Sequence, residues 1–223
     1  MGLLSEQDLS EVQERLRGMI EPVKLIHFTQ ELNLEYGREA RELVQQVESA
    51  SAKISTEVYN FLLDKEKAAE YGVDKVPATV VAGAKDFGIR FYGLPAGYEF
   101  SALLDAILGV STGDSGLGAA TKSKLSLIAH PVHLEVFVTP TCPHCPGMAR
   151  LAHRMALESD LVTADCIEAT EFPELAGRYN VYAVPKTVIN GGAAIDGALP
   201  EDFFVDAVLQ HLGIVPADDE RRA

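Results

Sequence analysis

The chain has 223 residues, 47% of them hydrophobic and 23% charged, with a formal net charge of −14. That length allows one large unit or two of about 110 residues, and the apolar content suffices for a full core. The negative balance disfavours nucleic acid or an anionic membrane as a partner, and no apolar run approaches the roughly 18 residues needed to span a bilayer.

Residues 1–20 lack the basic start and continuous apolar stretch of a signal peptide. Ser5 followed by Asp8 reads as a helix start, and Leu9, Val12, Leu16 and Met19 fall at helical spacing. We expect an amphipathic helix packed on the first unit. Residues 21–110 then carry strand and helix patterns that return in residues 123–215. An offset of 108 residues lays Tyr71-Gly-Val-Asp-Lys-Val-Pro-Ala-Thr-Val on Tyr179-Asn-Val-Tyr-Ala-Val-Pro-Lys-Thr-Val. Upstream, Val23-Lys-Leu-Ile-His-Phe pairs with Val132-His-Leu-Glu-Val-Phe. A repeat this long points to duplicated units rather than a solenoid.

Within the second copy, strands are expected at 132–138, 161–167 and 184–189, with a short fourth strand after Gly191-Gly192 and helices between and after them. The order implies an α/β fold, a mixed sheet flanked by helices in each copy. The Gly- and Ser-rich stretch 111–122 reads as a linker, and 216–223 as a charged tail.

Two of the three cysteines form Cys142-Pro143-His144-Cys145, between a strand and a helix. Three cysteines make no secreted disulfide framework, so a cytoplasmic home is expected, where such a pair is catalytic or metal-binding. A zinc site wants four ligands, and no second pair or paired histidine spacing supplies them, so no metal is expected. An unperturbed thiol ionises near pH ~8.5 and is mostly protonated at neutrality. A helix N-terminus aims unpaired N–H groups and the positive end of the dipole at Cys142. Pro143 suits a first turn, where its missing N–H is not needed. Cys145, one turn further, closes the ring as the resolving thiol. His144 adds a partly cationic neighbour that favours the thiolate, and so predicts a less reducing potential than Gly-Pro or Pro-Tyr in its place.

These residues, with Lys85-Asp-Phe-Gly-Ile-Arg-Phe-Tyr-Gly-Leu-Pro-Ala-Gly-Tyr-Glu-Phe100 and Phe137-Val-Thr-Pro-Thr-Cys-Pro-His-Cys-Pro146, resemble the protein disulfide oxidoreductases, or glutaredoxin-like proteins, of thermophiles. The resemblance covers about residues 20–213. It implies two tandem thioredoxin-like domains, each a four- to five-stranded mixed sheet flanked by helices. It also implies a cis Pro185 facing the cysteines, with Val184 offering backbone hydrogen bonds to a bound peptide. A carboxylate beneath the motif is implied as a proton acceptor, for which Glu168 is the candidate and Glu135 a weaker one. At 108 residues upstream Glu168 becomes Asn60, so the copy without cysteines lacks that acid too.

No cysteine precedes Cys142. Depending on a one-residue gap, Asn33 and Tyr36 or Leu34 and Gly37 stand where relatives carry a second pair, so the first unit is expected to be silent in exchange. Lys186 is read as a solvated lysine and Cys166 as a small buried hydrophobe. The implied activity is thiol-disulfide exchange on protein disulfides through a redox-active Cys142–Cys145 pair, with no other cofactor. Electrons would come from a thioredoxin-reductase-like flavoprotein or another dithiol. The alternative is an electron-transfer module between a flavoprotein and a peroxiredoxin-type partner. Pro143 argues against a cluster shared between two chains, as in some glutaredoxins, and the intact CxxC argues against a purely non-catalytic binding module.

Overall fold

The computed structural model describes residues 2–30 and 36–214. Positions 31–35, with Asn33 and Leu34, and the tail from 215 onward lie outside the described residues.

The first helix, α1 (Glu6–Arg15), starts at a capping box. The Ser5 N–H donates to Asp8 Oδ2 at 2.8 Å and the Asp8 N–H to Ser5 Oγ at 3.2 Å. Val12, and then Leu16 and Met19 in the following turn, are buried. After it come β1 (Val23–Thr29), α2 (Gly37–Ser49), β2 (Ile54–Asn60), α3 (Lys65–Glu70), β3 (Ala78–Ala82), β4 (Asp86–Tyr92) and α4 (Phe100–Thr112). A helix α5 (Ala119–Leu125) leads into β5 (Val132–Val138), α6 (Cys145–Glu158), β6 (Val162–Glu168), α7 (Pro173–Arg178), β7 (Lys186–Ile189), β8 (Ala193–Asp196) and α8 (Glu201–His211). The second copy thus repeats the first element by element.

In each copy the first strand pairs parallel with the second and antiparallel with the third, which forms a hairpin with the fourth. The two four-stranded sheets do not stand apart. β4 pairs parallel with β6, from Ile89 opposite Ala164 to Tyr92 opposite Ile167, and the result is one eight-stranded sheet in the order β2-β1-β3-β4-β6-β5-β7-β8. Side chains alternate across it. Leu134, Val136 and Val138 join the cluster under α6 and α4, whereas Phe137 and Ile167 join Tyr92 and Phe28 on the other face.

Half of the stretch expected as a linker is helix, with 113–118 between α4 and α5. Its serines mislead because they are bonded rather than solvated. Ser111 is fully buried and its Oγ accepts the Ile20 N–H at 2.9 Å, which ties the end of α4 to the entry of β1.

Candidate active site

The Cys142–Cys145 disulfide sits where β5 hands over to α6. The helix begins at Cys145, with His144 as its N-cap. Cys142 therefore stands just outside the helix, and Pro143 precedes the cap. Pro146, not Pro143, takes the first-turn position, where a missing N–H forfeits no helical bond. The consequence for sulfur is direct: the Cys145 N–H donates to Cys142 Sγ at 3.1 Å. An orphan donor of the first turn and the positive end of a 14-residue helix both act on that atom. Cys142 is 9% exposed and Cys145 0%, so the first is the more accessible of the two.

Val184–Pro185 is a cis peptide, as is Val76–Pro77 in the first copy. Cys142 Sγ lies 3.8 Å from the Val184 carbonyl, so this cis segment stands beside the disulfide. His144 and Pro143 are exposed and, with Arg150, Arg154 and Leu199, line a cavity of about 550 Å³. Glu168 closes β6 on the α6 face and is 3% exposed. Its Oε2 accepts the Glu171 N–H at 2.8 Å and a bond from the Thr170 hydroxyl, while Oε1 has no partner.

Glu135 is not beneath the cysteines. It points to the opposite face, in a cavity with Tyr179 and Lys75, because its neighbours Leu134 and Val136 already occupy the α6 side. Lys186 is not free in solvent: its Nζ lies 3.2 Å from Asp196 and donates to the Asn180 carbonyl at 3.4 Å. In the first copy, Tyr36 caps α2 and Gly37 opens it.

The loop after β4 reaches from the first copy onto this site. The Tyr98 N–H donates to the Pro140 carbonyl at 3.1 Å, inside the turn that presents Cys142. Gly97 permits it: a Cβ there would lie 2.4 Å from the Pro140 oxygen, and its φ is +59°. Two residues on, Glu99 is 2% exposed and was missed in the sequence. Burial pushes its carboxyl up to about 7, and Glu168 adds to the rise, against a hydrogen bond from Cys166 and the charge of Arg150. Its Oε1 has no partner. Two buried carboxyls from different copies, each with one unsatisfied oxygen, thus face the α6 side of the sheet.

A thioredoxin domain model matches residues 132–210. The protein disulfide oxidoreductase of Aeropyrum pernix K1 is 32% identical and superposes with a TM-score of 0.87 over 96% of each chain. The chain belongs to the thioredoxin-fold disulfide oxidoreductases. A second likeness is to the NTD_N/C domain of alkylhydroperoxide reductase AhpF from Enterococcus faecalis, 25% identical with a TM-score of 0.86 over 92% of this chain and 99% of that one. The corresponding alkyl hydroperoxide reductase protein, AhpF, of Staphylococcus epidermidis is 28% identical over 83% of this chain. The chain spans about a third of the length of such curated relatives.

Within the family frame, the eight strands and flanking helices are two thioredoxin-like halves joined edge to edge. Among the described residues no group of three His, Cys, Asp or Glu is arranged to hold a metal ion, and no helix is long and apolar enough to cross a membrane. The signal that could have found Glu99 was present: an acidic residue flanked by Tyr98 and Phe100, just before the buried face of α4.

Proposed function

We propose that this chain exchanges disulfides with protein substrates through a single dithiol, Cys142 and Cys145, in its second half. The observation that carries the reading is the first-turn N–H of α6 on Cys142 Sγ, with the cis Val184–Pro185 segment beside it. In the reduced protein the Cys142 thiolate attacks a substrate disulfide, forming a mixed disulfide and releasing one substrate thiolate. Cys145 then gives up its proton and attacks Cys142 Sγ, which regenerates the internal disulfide and frees the second substrate thiol. Substrate ends reduced by two electrons and the protein oxidised by two. The exposed His144 favours the thiolate and raises the potential.

Glu99 supports the second step as the proton acceptor for Cys145. A carboxyl near 7 exchanges protons at neutral pH, where an ordinary one is already ionised. Glu168, on the same face, is the alternative acceptor. The cysteine-free half then supplies a carboxyl and a wall of the site rather than a second redox centre. Electrons come from a flavoprotein of the thioredoxin reductase kind or from another dithiol, in a cytoplasmic setting.

The likeness to AhpF of alkyl hydroperoxide reductase over 83% of the chain favours a second reading, in which the same dithiol passes electrons from a flavoprotein to a peroxiredoxin-type partner. Insulin-disulfide reduction driven by dithiothreitol, or by thioredoxin reductase and NADPH, tests the first. Wild type should accelerate it and Cys142→Ser should fall to the protein-free rate. Equal activity of the two proteins would remove the assigned nucleophile. Faster turnover with a peroxiredoxin than with scrambled ribonuclease would favour the second reading.

A further inference from the structure

The third cysteine, Cys166, lies in β6 on the face that α6 covers, opposite Val136 of β5, and is 3% exposed. Size and burial alone would make it a small apolar filler. Its surroundings are not apolar. Cys166 Sγ donates to Glu99 Oε2 at 3.5 Å, within range for a sulfur donor, and that oxygen belongs to the other half of the molecule. The second oxygen of Glu99 is left without a partner. Among the described residues, the groups that act on this carboxyl are Cys166 and Glu168 of β6 and Arg150 of α6, itself held at 2.9 Å by Asp105 of α4.

A carboxyl that must both take and release a proton needs unequal oxygens. One has to be anchored so that the group keeps its place when it ionises; the other has to stay open to the proton. We propose that Cys166 is a positioning residue for the exchange reaction, its S–H anchoring Glu99 Oε2 so that Oε1 serves the dithiol. This rests on Glu99 being the proton acceptor for Cys145. A hydrogen bond to the ionised form favours that form, so the thiol offsets part of the desolvation that would otherwise keep Glu99 neutral. A thiol is a weak donor and offsets it only in part. Burial also raises the Cys166 thiol well above its usual range. It therefore stays protonated as a donor and is no nucleophile, despite sharing a face with a reactive disulfide.

The test is the pH–rate profile of insulin-disulfide reduction by the full chain, for wild type, Cys166→Ala, Cys166→Ser, Glu99→Gln and the Cys166→Ala/Glu99→Gln double variant. Removing the donor should move the acid limb of kcat/KM up by about one pH unit, about the worth of one hydrogen bond to a charged group. Serine, which restores a donor, should return the limb to the wild-type position or below it. Cys166→Val provides the same donorless contrast should the alanine variant fail to fold. In the Glu99→Gln background the Cys166 substitution should move nothing. An unchanged profile in Glu99→Gln overturns the assignment of Glu99 and this proposal with it. A changed profile there, with an unmoved limb in Cys166→Ala or an equal shift in the double variant, overturns the role of Cys166 alone.

Discussion

At the scale of single residues, two buried histidines make the fold sensitive to acid. His27 and His153 are 0% and 3% exposed, and burial lowers each to about 4 from the usual 6.5. Each is neutral when folded and takes up a proton when unfolded. A depressed histidine gives stability that is complete above pH 6.5 and lost as pH falls toward 4, about 3 kcal/mol per residue. Glu99 works oppositely. Its carboxyl, raised to about 7, gains stability by roughly the same amount as pH falls from 7 to 4.5. His133, raised by its bond to Asp165 against the effect of burial, also favours the folded state on acidification. The two histidines outweigh Glu99, so unfolding free energy measured in urea should fall between pH 6.5 and 4. His153→Phe should flatten that decline, and an equally steep curve in this variant would refute the assignment. What was legible at this scale was local. Cys142, Cys145 and Pro185 announce themselves through their neighbours in sequence. Glu99 and its bond to Cys166 span 67 positions, and nothing in either local pattern links them.

At the scale of elements, strand and helix positions were readable because apolar periodicity and turn residues mark them: 132–138 is found as Val132–Val138, and 161–167 is displaced by one residue. The joint between the halves was not readable, because alternation says which face of a strand is covered but not which strand lies at its edge. In the structure Gly88–Tyr92 of β4 are buried on both faces, as befits an interior strand, but Gly88 and Arg90 keep that stretch from reading as an apolar run. The joint makes a demand on Gly93, which follows β4. Its φ is +94°, and an added Cβ would lie 2.8 Å from both Glu168 Cβ and Glu171 Oε1. From this residue the chain departs toward Glu99, with the Leu94 N–H donating to Glu171 Oε1 at 2.7 Å. Gly93→Ala combines an unfavourable φ with a clash against the end of β6, and should cost about 2–4 kcal/mol. It should also slow exchange, because Glu168 and Glu99 are both displaced. Denaturant unfolding alongside the insulin assay checks this, and a variant of wild-type stability would show that the close contact has room to relax.

At the scale of the whole molecule, a duplicated chain of 223 residues would ordinarily be expected to unfold in two steps. Three features oppose that here. The sheet is continuous through β4 and β6, so separating the halves exposes two central strand edges at once. The larger apolar cluster runs from Val12 of α1 through Leu103 and Ile107 of α4 to Met148 of α6 and Phe204 of α8, and the smaller joins Phe28 to Phe137. The two buried carboxyls on the α6 face, Glu99 and Glu168, come from opposite sides of the joint. A first half that had merely lost its cysteines would be free to drift away; one that carries half the core is not. Scanning calorimetry of the oxidised protein should therefore show one transition, with calorimetric and van't Hoff enthalpies in agreement, and loss of exchange activity should follow the same curve. Two resolved transitions, with the dithiol surviving the first, would mean that the second half holds its site alone and that the carboxyl contributed across the joint is dispensable.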